Sequence, residues 1–161
     1  MIAYKEFLVS IEIMPRLVGY MVTWTTYGSW LPGDKRGYVE NGRILEGNKQ
    51  IRKACEKLQR YPTVKLNQME RELVNTAIIK EAERIGQNIE TLVVCFNHIH
   101  IASRPGVKSI ERTVCMYKSA ATRALRSLRK GPVWTKSFDK RFCFSEADFA
   151  SRIKYIKKHN Q

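Results

Sequence analysis

Hydrophobic and polar positions fall into blocks whose periods alternate between strand and helix. Residues 17–26, rich in β-branched and aromatic side chains, predict a first strand. Leu66, Met69, Leu73, Ala77 and Ile78 recur every three or four residues and predict a helix over 66–86. Asn67 and Glu70 lie near its start, and Gly86 is a stop signal. The most apolar run, Thr91 to Phe96, predicts a strand over 88–96, and a third strand follows over 98–103. Ile110, Val114, Tyr117, Ala121 and Leu125 mark a second long helix over 109–130, capped by Ser109 and ended by Gly131-Pro132. Residues 133–145, carrying Trp134, Phe138, Phe142 and Phe144, predict a fourth strand or hairpin. Ser145, followed by Glu146 and Asp148, caps a last helix running to about residue 158.

The order is β, long loop, α, β, β, α, β, α, with a short basic helix around 51–59 before Pro62. It predicts an α+β fold: a ferredoxin-like antiparallel sheet with two helices on one face, plus a C-terminal helix. At 161 residues, without repeats or low-complexity tracts, the chain reads as a single domain over 1–161. Residues 1–16 read as a strand or an irregular arm and lack the basic-then-apolar order of a signal peptide. No apolar stretch approaches the roughly 18 residues of a transmembrane helix, so a membrane is not an expected partner. The scattered cysteines, Cys55, Cys95, Cys115 and Cys143, read as reduced, mostly buried thiols of a cytoplasmic protein.

Charge changes this picture. Twenty-nine Lys and Arg against 15 Asp and Glu give +14, an excess that favours a polyanionic partner, nucleic acid first, over a merely solubilising surface. The connection over 27–50 holds five glycines and Pro32, and loops of that length are usually functional or disordered. Trp30 beside Lys35 and Arg36 reads either as a base-stacking platform or as a pin holding the loop to the core. Lys118, Arg123, Arg126 and Arg129 on the second long helix read as a DNA track or a solvated face.

Candidate chemistry centres on Asn97-His98-Ile99-His100. Side chains alternate along a strand, so His98 and His100 share a face while Ile99 points to the other. The one remaining histidine, His159, follows Tyr155 by four residues, a spacing that shares a helix face. Together they suggest a three-histidine metal site with Tyr155 beside it as nucleophile. Tyr117 is the competing nucleophile, but it has apolar spacing and no histidine partner, and reads as core or groove lining.

These residues resemble the HUH single-tyrosine transposases, which include small insertion-sequence transposases and REP-associated tyrosine transposases. The likeness rests on His98-Ile99-His100, on Tyr155 in a late helix, on the element order, and on Thr26-Tyr27-Gly28-Ser29-Trp30-Leu31-Pro32-Gly33-Asp34 after the first strand. The resemblance implies a metal-dependent enzyme that cleaves and rejoins single-stranded DNA near hairpins through a 5′-phosphotyrosine intermediate. It implies Tyr155 as catalytic residue and His98, His100 and a third side chain on the tyrosine helix as metal ligands. Relatives often place a glutamine where this chain has His159. Magnesium or manganese is the family's ion, whereas three imidazoles suit Mn, Zn or Ni better than Mg. Expected DNA contacts are Trp30, Lys35, Arg36, Arg104, Lys118, Arg123, Lys154 and Lys158. A homodimer that exchanges its tyrosine helices is one expected arrangement, a monomer the other, in a prokaryotic, nucleoid-associated setting. The rival is a non-catalytic or domesticated hairpin-binding protein. An RNA-binding domain is disfavoured, because its run of aromatics and glycines is missing from the strands.

Overall fold

The computed structural model describes residues 14–159, so the arm expected over 1–16 lies mostly outside the described residues. Ten elements follow in order: β1 (Gly19–Thr25), β2 (Tyr38–Glu40), β3 (Arg43–Leu45), α1 (Lys49–Leu58), α2 (Gln68–Ile85), β4 (Ile89–Val94), β5 (His98–Ser103), α3 (Ile110–Ala124), β6 (Asp139–Cys143) and α4 (Glu146–Lys157). The main sheet runs β4-β5-β1-β6, antiparallel throughout, and β2 pairs only with β3. Counting only the four main strands, the first is central and the third lies beside it, the ferredoxin-like order that the pattern of elements predicts.

Strand alternation separates two cores. Tyr20, Val22, Trp24, Ile99 and Ile101 face α2 and α3, meeting Val74, Ile78, Val114, Tyr117 and Leu125. Met21, Val93, Ala102 and Cys143 face the other way, where α4 covers them with Phe149 and Ile156. Among the described residues, α4 is the one helix that packs on the face carrying His98 and His100. Its approach depends on Gly19, because a Cβ there would stand 2.5 Å from the Phe149 ring.

Helix ends follow their local signals. Asn67 and Glu70 form a reciprocal capping box, Gly86 ends α2 at φ 67°, and Ser109 and Ser145 accept from Arg112 N–H and Asp148 N–H. Four expectations are corrected. The helix predicted to residue 130 ends at Ala124, because Leu125 is drawn fully into the core and Arg129 turns back to a buried Glu70. The long connection contains the β2–β3 hairpin, turned by Asn41 and Gly42, both at positive φ as a two-residue hairpin loop requires. The fourth strand is confined to Asp139–Cys143, and Trp134 makes only an isolated bridge to Thr26. Of the cysteines, Cys143 alone is buried; Cys55 and Cys95 are half-buried and Cys115 is exposed. Among the described residues, no helix is long and apolar enough to cross a membrane.

Candidate active site

The turn between β4 and β5 is anchored before it presents any chemistry. Thr26, fully buried at the end of β1, donates its hydroxyl to Val64 O at 2.7 Å, and its N–H to Asn97 O at 2.9 Å. Leu66 N–H donates to Phe96 O at 2.7 Å. The two residues preceding His98 are thereby held from β1 and from the segment entering α2.

His98 and His100 project from β5 toward α4, with ring centres 4.7 Å apart. His159 reaches them from the turn after α4, its ring 4.8 Å from His100 and 6.1 Å from His98. That turn is fixed by His159 N–H donating to Ile156 O at 2.9 Å, and the Cys95 thiol donates to His159 O at 3.7 Å. Tyr155, half-exposed, lies 4.6 Å from the His159 ring and 5.8 Å from the His100 ring. His159 lies beyond the last residue of α4, so the shared helix face expected from its spacing is replaced by a terminal turn that achieves the same approach.

Each imidazole has its Nδ1 engaged. His98 Nδ1 pairs with Asn97 Oδ1 at 2.6 Å, His100 Nδ1 with Thr23 Oγ1 at 2.7 Å, and His159 Nδ1 with Tyr155 O at 2.9 Å. Where the partner is a carbonyl oxygen, Nδ1 carries the proton and Nε2 is left with its lone pair; the Thr23 hydroxyl permits the same arrangement at His100. Burial, reinforced by the neighbouring imidazoles, drives His100 down to about 4. Burial lowers His98 as well, with His159 and the Arg36 guanidinium adding to the effect. Both rings are therefore neutral at physiological pH, the form that ligates metals. As the side chains stand, the rings meet edge to face, and no three His, Cys, Asp or Glu residues among the described residues form a closed metal-binding group.

The residues expected to contact DNA divide by what already holds them. Lys154, Lys157 and Lys158 are exposed at the end of α4, neighbours of Tyr155 in sequence. Lys35 is exposed next to Arg36, whose guanidinium makes a two-pronged contact with buried Asp34 at 2.8 and 2.9 Å. Arg36 also stacks 4.2 Å from the centre of the Trp30 ring, and Trp30 Nε1–H donates to Gly37 O at 2.8 Å. Trp30 is thus pinned and 44% exposed at once. Arg104 is committed elsewhere: it bonds both Glu146 oxygens, Glu90 and Val18 O, and lies over the Phe149 ring, clamping the start of α4 to the sheet. Lys118 donates to three carbonyls, of Thr135, Lys136 and Ser137, and holds that strap. Arg123 is exposed on α3, in the layer across the sheet from the histidines. Tyr117 is 1% exposed, and burial pushes its phenol upward, which removes it as a rival nucleophile.

Thr23 is the partner that sequence inspection misses. It lies opposite His100 in the β1–β5 register, a pairing that neither strand displays on its own.

A scan of protein-family models and a search of curated proteins each found no match. Among solved structures, the chain superimposes on a REP-associated tyrosine transposase bound to a REP hairpin with a TM-score of 0.56. Sequence identity is 14%, over 97% of this chain and 70% of that one, a likeness of fold. A protein from Deinococcus radiodurans R1, described as a candidate transposase, superimposes at 0.48 with 15% identity over 91% of this chain and 93% of its own.

Proposed function

We propose that this chain belongs with the HUH single-tyrosine transposases and cleaves and rejoins single-stranded DNA beside hairpins, with Tyr155 as nucleophile. One observation carries the reading: three imidazoles from β5 and the end of α4 gather on one sheet face with Tyr155 against two of them. The shared fold with a transposase bound to a hairpin supports it, as does the +14 charge. The expected setting is the nucleoid of a prokaryotic cytoplasm.

In the proposed reaction the Tyr155 phenolic oxygen attacks the scissile phosphorus. The bond from phosphorus to the 3′ oxygen breaks, the phenol's proton passes to solvent, and the leaving oxygen takes up a proton. A 5′-phosphotyrosine and a free 3′-hydroxyl result; attack by a 3′-hydroxyl reverses the step and releases the tyrosine. One ester replaces another, so no nucleotide cofactor is required. The exposed Lys154, Lys157 and Lys158 place positive charge at the end of α4, where it can hold phosphate.

His98, His100 and His159 are the residues that would hold a divalent ion. Two observations support the fit: His98 and His100 are kept neutral, and all three Nδ1 atoms are engaged, leaving Nε2 for coordination. An ion bound there supplies Lewis-acid polarisation of the phosphate. An all-nitrogen donor set suits Mn, Zn or Ni better than Mg.

The test is a labelled single-stranded hairpin, taken from beside the chain's own gene, incubated with Mn or Mg and run on a denaturing gel. A metal-dependent adduct that disappears in Tyr155→Phe is expected. His100→Ala should abolish cleavage and leave hairpin binding largely intact. Tight binding without an adduct under any metal would instead support the second reading, a non-catalytic or domesticated hairpin binder.

A further inference from the structure

The β2–β3 hairpin presents its apolar side to water. Val39 and Ile44 are cross-strand partners, 68% and 85% exposed, whereas Tyr38, on the opposite side, is 8% exposed and pairs with half-buried Leu45. Two aliphatic side chains paired on a free ribbon face gain nothing from folding. The ribbon's base is nevertheless rigid. Trp30 holds Gly37, while Asp34 accepts from Arg36 and, at 3.0 Å, from Arg52 of α1. Gly33 presses on α1, since a Cβ there would stand 2.4 Å from Asn48 O.

Resting on the DNA reading above, we infer that the ribbon is a nucleobase contact, with Val39 and Ile44 as an apolar wedge against an unpaired or opened base step at the foot of the hairpin. Its surroundings choose the occupant. Lys35 and Lys49 are exposed at its base, and Arg43, cross-strand from Glu40, on its other side; these cations outnumber the exposed Glu40 and Glu46 and complement phosphates flanking the wedged bases. A second copy would instead add one +14 chain to another. A two-stranded ribbon also has the width that enters a DNA groove.

The experiment compares the full-length native chain with Val39→Ser/Ile44→Ser in EDTA, so that binding is read apart from chemistry. One probe is a hairpin carrying 2-aminopurine at the unpaired position next to the stem; the other is the same stem, blunt-ended. The double variant should bind the flanked hairpin about tenfold more weakly and lose the 2-aminopurine signal, with blunt-stem binding within about twofold. Val39→Leu/Ile44→Leu should keep both. An unchanged affinity for the flanked hairpin, or an equal loss on the blunt stem, overturns the wedge while leaving the nuclease reading standing. A native dimer in sedimentation that dissociates in the Ser variant would make the ribbon a contact between copies, against the proposal. A native chain that binds neither DNA would sink both readings together.

Discussion

Gly19 is the position from which the active site can be disturbed without touching it. Phe149 lies between β1 and the Arg104 guanidinium, which covers its ring at 4.5 Å, and it is 1% exposed. An added methyl would stand 2.5, 2.6 and 2.9 Å from three ring carbons, where carbon atoms ordinarily rest roughly 3.5–4.0 Å apart. The ring must retreat by about 1 Å into a space that Arg104 already fills. Overpacking of this kind costs about 1–3 kcal/mol, and replacing glycine by alanine returns about 0.4–1 kcal/mol through the unfolded chain. The expected net loss for Gly19→Ala is therefore about 0.5–2 kcal/mol, a fall in Tm of roughly 2–6 °C. Because α4 also carries Tyr155, six residues beyond Phe149, the displaced ring should shift the nucleophile and reduce adduct yield. Urea midpoints and denaturing gels measure the two effects separately. A cycle with Phe149→Leu identifies the cause: the smaller side chain should be less damaging in the Gly19→Ala background than alone, by about 0.5–2 kcal/mol. A Gly19→Ala chain with native stability and native adduct yield refutes the reasoning.

Asp34 ties stability to pH. The Arg36 guanidinium, helped by the Arg36 N–H and by Arg52, lowers its carboxyl to about 2, below an unfolded value of about 3.9. The unfolded chain binds more protons between those values, so stability rises with pH there. The contribution is fully present above about pH 5 and lost as pH falls toward 2; with both guanidiniums partly in water it is worth about 1–2 kcal/mol. Asp34→Asn should flatten the acid limb of a urea-midpoint titration by that amount, and an unchanged limb counts against the assignment. Thr23→Val removes the partner of His100 Nδ1 and should weaken Mn or Zn binding about 10–100-fold by calorimetry, with Tm little changed. Unaltered affinity would show that Thr23 does not orient the ring.

The sequence alone determined what depends on neighbours along the chain. Period two placed His98 and His100 on one strand face; periods of three and four marked α2 and α3; Asn67, Ser109, Ser145 and Gly86 marked helix ends through bonds to adjacent backbone. Tertiary structure decided everything that depends on partners distant in sequence. The face that α4 covers was settled by Gly19 and Phe149, 130 positions apart in a single contact. The fate of the cations was settled the same way. Arg104 and Lys118 are cations in sequence just as Lys154 and Lys158 are, yet the first pair bonds Glu146 and three strap carbonyls while the second pair is exposed. The β2–β3 hairpin escaped detection because each strand is three residues long and its aliphatic pair, Val39 and Ile44, faces water while Tyr38 and Leu45 turn inward, too short a run to show a hydrophobic period. Thr23 was hidden for a related reason: a register between two strands is written in neither of them, and only the assembled sheet brings its hydroxyl to His100.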